Sequence, residues 1–182
     1  WLRRFVFDHA VDAFINDDKG YDVKSFDTPA DLYEAIKKKA GSEESKLSRV
    51  VATYDWSYSN RQKEAGYWGV RIDDFFLPWN YELERDLGTI EKRHIKKLAW
   101  AEQPQTINEI GSTFTIQGFD LSYVGVILGP SVKYRNGQIV FDPSCSKNEK
   151  ATRNRTLSSG ARKRFGEIFI RNEVKVLLTR GV

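Results

Sequence analysis

The stretch from Gly111 to Gly129 constrains the fold more than any other part of the sequence. It contains a short run of β-type residues at 112–116, a Gln-Gly turn followed closely by an acidic residue, and an almost wholly apolar run at 123–128. Continuous apolar runs are typical of strands in parallel sheets that helices cover on both faces. We therefore predict an α/β fold in which 112–116 and 123–128 are sheet strands and 123–128 is central.

The turn between these strands is the first candidate site. In open α/β sheets, ligands bind outside the carboxyl ends of the strands, and we expect residues 117–120 at that edge. Gly118 lets a phosphate approach the backbone closely, and the carboxylate of Asp120 suits a ribose hydroxyl. A carboxylate that caps a helix N-terminus is the alternative role for Asp120.

Helical periodicity predicts three helices. The first spans residues 1–16, and the second begins at Thr28-Pro29 with an N-cap and a proline at the first helical position. The third begins near Ser158 and continues almost to Thr179.

Strand signals flank the second of these helices. Residues 21–26 alternate like a short strand and residues 49–54 are β-branched and aromatic, so the order of elements predicts a parallel βαβ unit. Residues 132–141 contain Asn136-Gly137 between two alternating runs, which predicts a β-hairpin.

Length favours one domain over residues 1–182. Residues 55–108 are the least regular part and are rich in aromatic residues, so we interpret them as an insertion packed on the sheet. Their rings could stack on bases, but a place in the core is the favoured role. The sequence contains no Met, and we expect it to be a fragment of a longer polypeptide.

Composition excludes several classes of function. The net charge of +4 permits nucleic-acid binding without requiring it. The single cysteine, Cys145, excludes an internal disulfide framework and indicates a reduced, cytoplasmic protein. Two histidines without matching carboxylates give neither a metal site nor a histidine-based hydrolase. We expect no membrane association, since no apolar run approaches the length of a membrane span.

Several segments resemble a known family. They are residues 49–56, 78–80, 109–111, 116–127 and 177–181. Together they resemble the helicase-like family related to the Schlafen group-3 helicase domain, from about Arg49 to the end of the chain. Within it, residues 111–129 and 174–181 resemble motifs V and VI of superfamily-1 helicases, which lie in the second RecA-like domain of those motors.

The resemblance implies a RecA-like fold and a role for particular residues. Arg180 matches the motif VI arginine finger, which contacts the γ-phosphate of ATP, whereas an ordinary exposed arginine is the alternative. Gln117, Gly118 and Asp120 match nucleotide-binding positions of motif V, although Asp120 stands where Glu is commoner and is one methylene shorter.

The same resemblance implies contacts with nucleic acid and with a second domain. Ser112 and its neighbour Thr113 match the position that lies against a nucleic-acid phosphate. No Walker A pattern and no Asp-Glu pair after a strand occurs, so we expect ATP and Mg²⁺ only in the full-length protein, bound with an N-terminal RecA-like domain. The isolated chain is expected to be inactive.

Three functions remain open from the sequence. The first is the C-terminal motor half of an ATP-dependent DNA or RNA helicase or translocase. The second is a non-motor NTPase switch that acts on a protein partner. The third is a stand-alone nucleic-acid-binding module, which explains the basic charge but gives no role to Arg180.

Overall fold

The structure is a computed structural model that describes residues 1–12, 22–42, 47–58 and 66–181. Its α-helices are α1 (Leu2–Phe7), α2 (Pro29–Ser42), α3 (Thr89–Ile95), α4 (Glu149–Thr152) and α5 (Gly166–Leu178). Its strands are β1 (Ser48–Ala52), β2 (Gly69–Ile72), β3 (Phe75–Pro78), β4 (Ile110–Gly111), β5 (Tyr123–Ile127), β6 (Val132–Arg135), β7 (Gln138–Phe141), β8 (Arg155–Thr156) and β9 (Arg162–Lys163). Short 3₁₀ turns occupy Leu83–Asp86, Trp100–Glu102 and Pro104–Asn108.

A parallel sheet of three strands organises the chain, in the order β4-β1-β5. Strand β1 pairs in parallel with both neighbours, with Val50 opposite Ile110 on one side and Gly125 on the other. The predicted parallel sheet is therefore confirmed for the strands around residues 50 and 125. The other described strand pairs, β2-β3, β6-β7 and β8-β9, are antiparallel hairpins.

The prediction that 123–128 is the central strand is wrong. All five residues of β1 are buried, and β1 lies between the other two strands. Strand β5 lies at the edge of the sheet, and its apolar character comes from the helices on its two faces. A Cβ added at Gly125 would lie 2.8 Å from the side chain of Ile36, so α2 packs directly on this strand.

Helices cover both faces of the sheet because successive residues of β1 point to opposite sides. Val50 and Ala52 join a core cluster with Ile36 of α2. Val51 points the other way, into a cluster with Trp100 and with Leu177 of α5. A third cluster joins α1, the β6-β7 hairpin and α5, and consists of Phe5, Val6, Ile139, Phe141, Ile170 and Val174.

The predicted strand at 112–116 is wrong, because β4 ends at Gly111 and a turn follows. The side chains of the turn replace the ladder hydrogen bonds. Thr115 Oγ1 accepts from Ser112 N at 2.9 Å and donates to Ser112 O at 2.9 Å. Ser and Thr stabilise turns through such local bonds, which compete with sheet pairing.

Other predicted elements differ in extent. Residues 22–26 form no strand, and Tyr21 lies outside the described residues, so the first strand of the predicted βαβ unit is absent from the described part. The first helix ends at Phe7, and residues 13–16 of that prediction also lie outside the described residues. The last helix begins at Gly166 rather than near Ser158, because residues 155–163 form the β8-β9 hairpin.

Two local predictions are confirmed. Helix α2 begins at Pro29, and Thr28 caps it by accepting from the backbone nitrogen of Asp31 at 3.1 Å. The β6-β7 hairpin turns through Asn136 and Gly137, whose φ values of 50° and 81° are those of a type I′ turn.

The aromatic-rich excursion from 55 to 108 packs on the sheet in its described part. Trp79 is fully buried in the cluster on the α2 face and forms a parallel bridge with Ile110 of β4. Trp100 is buried in the cluster on the α5 face. None of the described helices is long and apolar enough to cross a membrane.

Candidate functional site

Helix α5 and the residues just after it place four side chains along one side of a cleft. Phe169, Glu173 and Val176 follow one another at intervals of four and three residues, which puts them on one helix face, and Arg180 comes two residues after the helix ends at Leu178. The adjacent face anchors the helix through the buried side chains of Ile170, Val174 and Leu177. The cleft has a volume of about 390 Å³, and we call it the α5 cleft. It is lined by Thr113, Phe114, Gln117, Ser146, Asn148, Ala151, Thr152, Phe169, Ile170, Asn172, Glu173, Val176 and Arg180.

The α5 cleft runs along the length of the sheet. At one end Glu173 accepts a hydrogen bond from the backbone nitrogen of Tyr54, two residues beyond the carboxyl end of β1. At the other end Leu121 forms a parallel bridge with Gly181, just before β5 begins. Asp120 therefore lies near the amino end of β5. For Asp120, the prediction that residues 117–120 lie at the carboxyl edge is wrong, because the turn after β4 carries the chain back along the sheet.

Arg180 and Asp120 meet at this second end. Arg180 Nη1 lies 3.1 Å from Asp120 Oδ1, and the side chains are 23% and 65% exposed, respectively. The backbone fixes the pair, because Leu121 N donates to Arg180 O at 2.7 Å. Arg180 Nε is buried and has no hydrogen-bond partner in the part of the chain that the structure describes. The guanidinium is thus held in place with donor capacity to spare.

Gln117 and Thr113 line the same cleft as Arg180. Gln117 is exposed, so its amide is free to meet a ligand. Gly118 adopts a φ of 76°, which favours glycine, while the space that a Cβ would fill is open. The structure therefore requires Gly118 for the turn itself. Its closeness to a bound phosphate stays a prediction.

Ser112 does not line the α5 cleft. It is fully buried, and its hydroxyl donates to Asn80 Oδ1 at 2.9 Å and accepts from Phe114 N at 3.3 Å. The predicted contact of Ser112 with a nucleic-acid phosphate stays a prediction, and it requires this turn to rearrange. Thr113 is half-buried in the cleft wall and needs no such rearrangement.

Glu173 gives the other end of the α5 cleft a different electrostatic character. Its Oε1 accepts from Tyr54 N at 3.0 Å. Burial is the main cause that raises the pKa of Glu173 to about 7, and the negative charge of Asp55 raises it further. The hydrogen bond from Tyr54 acts in the opposite direction but is the smaller effect. The carboxyl group therefore changes its charge near neutral pH.

Asp55 ties β1 to the chain beyond β5. Its Oδ2 accepts from Ser131 N at 2.8 Å and from Thr53 Oγ1 at 3.0 Å, while Thr53 Oγ1 also accepts from Gly129 N at 2.8 Å. Burial raises the pKa of Asp55 despite these hydrogen bonds. This network closes the carboxyl edge of the sheet beneath the Glu173 end of the cleft.

Comparison with known proteins identifies the family. The family described as Schlafen group 3, DNA/RNA helicase domain, matches residues 1–182. The chain belongs to this family. An uncharacterized protein of Saccharomyces cerevisiae (strain ATCC 204508 / S288c) is 34% identical to it over 167 residues, which is 90% of this chain and 33% of the yeast protein. No solved structure matches the chain.

The Schlafen group 3 chain spans about a third of the length of this curated relative. The resemblance inferred from residues such as Arg180 and Gln117 is thus confirmed at the level of the helicase-domain family. The roles of these individual residues stay predictions.

Sequence reasoning missed the residues at the Glu173 end of this Schlafen group 3 cleft. From periodicity, Phe169 and Asn172 are predicted only to be helical. Glu173 is assigned no role, because a single acidic residue on a helix usually faces solvent. The available signal is spacing: Glu173 lies four residues after Phe169 and three before Val176, on the same helix face. The described residues contain no group of three or more His, Cys, Asp or Glu that could hold a metal ion.

Proposed function

We propose that this chain is the C-terminal motor half of an ATP-dependent DNA or RNA helicase or translocase that works in the cytoplasm. In this proposal it has a RecA-like fold and supplies Arg180 to an ATP site, which an N-terminal RecA-like domain of the same protein completes. The family match to a DNA/RNA helicase domain supports the general class. The observation that carries the proposal is the position of Arg180, which is fixed by the backbone at the end of α5 beside Asp120.

The side chains at this end fit an anionic nucleotide. Arg180 Nε is buried without a partner among the described residues, and a buried donor of this kind gains from an arriving acceptor. The ion pair with Asp120 is mostly exposed on the carboxylate side, so water screens it and a phosphate can replace it at small cost. The Asp120 carboxylate released in this way is free to accept from a ribose hydroxyl, and Gln117 lies in the same cleft.

Arg180 would act on the transition state of phosphoryl transfer. ATP, when bound with Mg²⁺ between the two domains, supplies the transferable γ-phosphoryl group. The planar guanidinium donates to oxygens that gain negative charge during transfer, which is where an arginine finger lowers the barrier. The N-terminal domain would provide the Walker A lysine and the carboxylates for Mg²⁺. The chain itself would orient the nucleotide through Asp120 and Gln117.

The test is steady-state ATP hydrolysis by the full-length protein and by Arg180→Ala. We expect turnover to fall by about a hundredfold or more with ATP affinity nearly unchanged, because the guanidinium acts mainly on the transition state. Arg180→Lys should restore little, since an ammonium group lacks the planar fork of donors. Arg135→Ala is the matched control, because Arg135 is exposed on the β6-β7 turn, away from the cleft.

Two results would decide against parts of this proposal. Wild-type turnover in Arg180→Ala would remove Arg180 from the ATP site, and a large loss of melting temperature would assign it a structural role. ATP turnover without strand separation or translocation by the wild-type protein would favour the NTPase switch over the motor.

A further inference from the structure

A concentrated positive charge lies beside the α5 cleft, in the segment between α4 and α5. Residues 150–166 contain no Asp or Glu. Their cations are Lys150, Arg153, Arg155, Arg162, Lys163 and Arg164, all of them exposed or partly exposed. None of the six forms an ion pair in the described ranges of the chain. We call residues 153–164 the basic arm.

The geometry of the basic arm concentrates this charge further. Strands β8 and β9 pair so that Arg155 lies directly opposite Lys163. Residues opposite each other in an antiparallel pair point to the same face, and like charges there are destabilising. The turn is well formed all the same, with Leu157 N donating to Ala161 O at 2.9 Å. An arm that holds two cations face to face without a counter-charge is suited to a polyanion.

The same two cations connect the basic arm to the α5 cleft. The guanidinium of Arg155 lies over the ring of Phe169, 5.8 Å from its centroid, and the ammonium of Lys163 lies over Phe165 at 5.4 Å. The two rings contact each other edge to face. Phe169 also lines the cleft, as does Phe114 on the turn after β4. Phe114 is 63% exposed, so its side chain is accessible to a ligand in the cleft.

We propose that the basic arm binds the phosphate backbone of single-stranded nucleic acid and that a base of that strand enters the α5 cleft against Phe169 and Phe114. The proposal rests on the nucleic-acid partner of the proposed function and assigns the surface that holds it. Cations for phosphates beside aromatic rings for bases are the two components of sequence-tolerant single-strand sites.

The shape of the cleft favours a single strand over a duplex. Bases in a duplex are stacked and paired, so none is free to enter a cleft, whereas an unpaired base is available. Phe114 contacts Tyr54, so the base would occupy the Glu173 end of this cleft of about 390 Å³, and the Arg180 end would stay open for the proposed ATP site. Asn172 lines it with an exposed amide that can donate to and accept from a base edge, and Asn148, whose Oδ1 already accepts from Ala151 N, offers its amide donors. An acidic peptide would satisfy the arm but would leave the rings without a flat partner.

The first experiment measures binding of fluorescein-labelled dT12 and rU12 to the full-length protein by anisotropy, without ATP and at several salt concentrations. The double variant Arg155→Ala/Lys163→Ala should weaken binding by about tenfold or more. Removal of two phosphate contacts should also make the slope of log K against log salt shallower by about 1.4. Lys96→Ala/Lys97→Ala is the matched control, because it removes two exposed cations of the excursion.

The outcomes distinguish binding by the basic arm from nonspecific attraction to any positive charge on the protein. A loss in the arm variant with little change in the control supports the proposal. Equal losses in both double variants, or no loss in either, would overturn it. The ratio of affinities for dT12 and rU12 reports whether the site distinguishes DNA from RNA, and tighter binding of a 12-base-pair duplex than of either strand would also contradict the proposal.

A second variant tests the base in the cleft. Phe114→Ala changes a largely exposed side chain and should leave the fold intact. We expect about a tenfold loss of affinity at every salt concentration with an unchanged slope, because a stacking contact involves no phosphate. Wild-type affinity in Phe114→Ala would remove the base from this cleft.

ATP turnover of Arg180→Ala and dT12 binding by the arm variant are separate measurements, so this inference and the proposed function can fail independently. Full ATP turnover in Arg180→Ala together with lost binding in the arm variant would refute the arginine finger and retain the nucleic-acid surface. The reverse pattern would refute the surface and retain the finger.

Discussion

The two ends of the α5 cleft use carboxylates in opposite ways. At one end Asp120 is 65% exposed and pairs with the cation of Arg180. At the other end Glu173 is half-buried, accepts from the backbone of Tyr54 and lies near the negative charge of Asp55. An exposed ion pair exchanges its partner at little cost, whereas burial raises the pKa of a carboxyl group and so moves its titration towards neutral pH. The comparison suggests a charged ligand at the first end and a neutral group at the second.

Helix α5 carries Glu173 and ends two residues before Arg180, so its packing should control both ends of the site. Leu177 is fully buried between Glu173 and Arg180 and contacts the cluster around Val51 and Trp100. We expect Leu177→Ala to lower the free energy of unfolding by about 2–5 kcal/mol, because it removes apolar contacts and leaves a cavity. Urea denaturation followed by circular dichroism measures this. Ile168→Ala, at a 38% exposed position of α5, is the control.

A comparable loss in Leu177→Ala and Ile168→Ala would contradict the packing described for α5. The packing of Leu177 would then not be what stabilises the two ends of the cleft.

The second prediction concerns the pH dependence of the Glu173 end. The usual pKa of Glu is 4.5, whereas that of Glu173 in the folded protein is about 7. Between these values the folded state binds more protons than the unfolded state, so this group's contribution makes stability fall as pH rises. Each pKa unit corresponds to about 1.4 kcal/mol, which puts the whole effect at about 3 kcal/mol or less.

The variant Glu173→Gln should therefore gain stability relative to the wild type as pH rises from about 5 to about 8. Its amide oxygen can still accept from Tyr54 N, so the hydrogen bond is retained. Melting temperatures of both proteins across this range measure the difference. Glu167→Gln, at an exposed position in the first turn of α5, controls for the loss of a negative charge alone. A difference that is constant with pH would refute the buried-carboxylate description.

The two ends also differ in how far the sequence predicts them. Two motifs about sixty residues apart place Arg180 and Asp120 in one cleft, and the two residues form an ion pair in the structure. A resemblance to these motifs depends on residue types that the chemistry requires, so it can be recognised without knowledge of the packing. The sequence places Asp120 at the wrong edge of the sheet, because residues 112–116 have the composition of a strand and form a turn instead.

The Glu173 end could not be predicted, because it depends on contacts between distant segments. The hydrogen bond between Tyr54 and Glu173 joins residues 119 positions apart, and no local pattern indicates it. The same limit explains the error about β5. An apolar run shows that both faces of a strand are covered, but which strands lie beside it depends on pairing with β1. Local elements such as α2 and the β6-β7 hairpin were predictable, since their caps and turns are local.

The smallest expected effect concerns the ion pair itself. Asp120→Asn removes the charge that faces Arg180, yet the carboxylate is 65% exposed, so solvent screens the pair and its contribution to stability is small. We expect the free energy of unfolding to change by less than about 0.5 kcal/mol. The backbone bond from Leu121 N to Arg180 O remains and keeps the arginine in place.

The comparison of the two ends predicts that a phosphate can replace Asp120 beside Arg180. Asp120→Asn should therefore bind tripolyphosphate at least as well as the wild type does, which calorimetry on the full-length protein measures. A destabilisation as large as that of Leu177→Ala would show that the pair is structural, and the proposed difference between the two ends would then be lost.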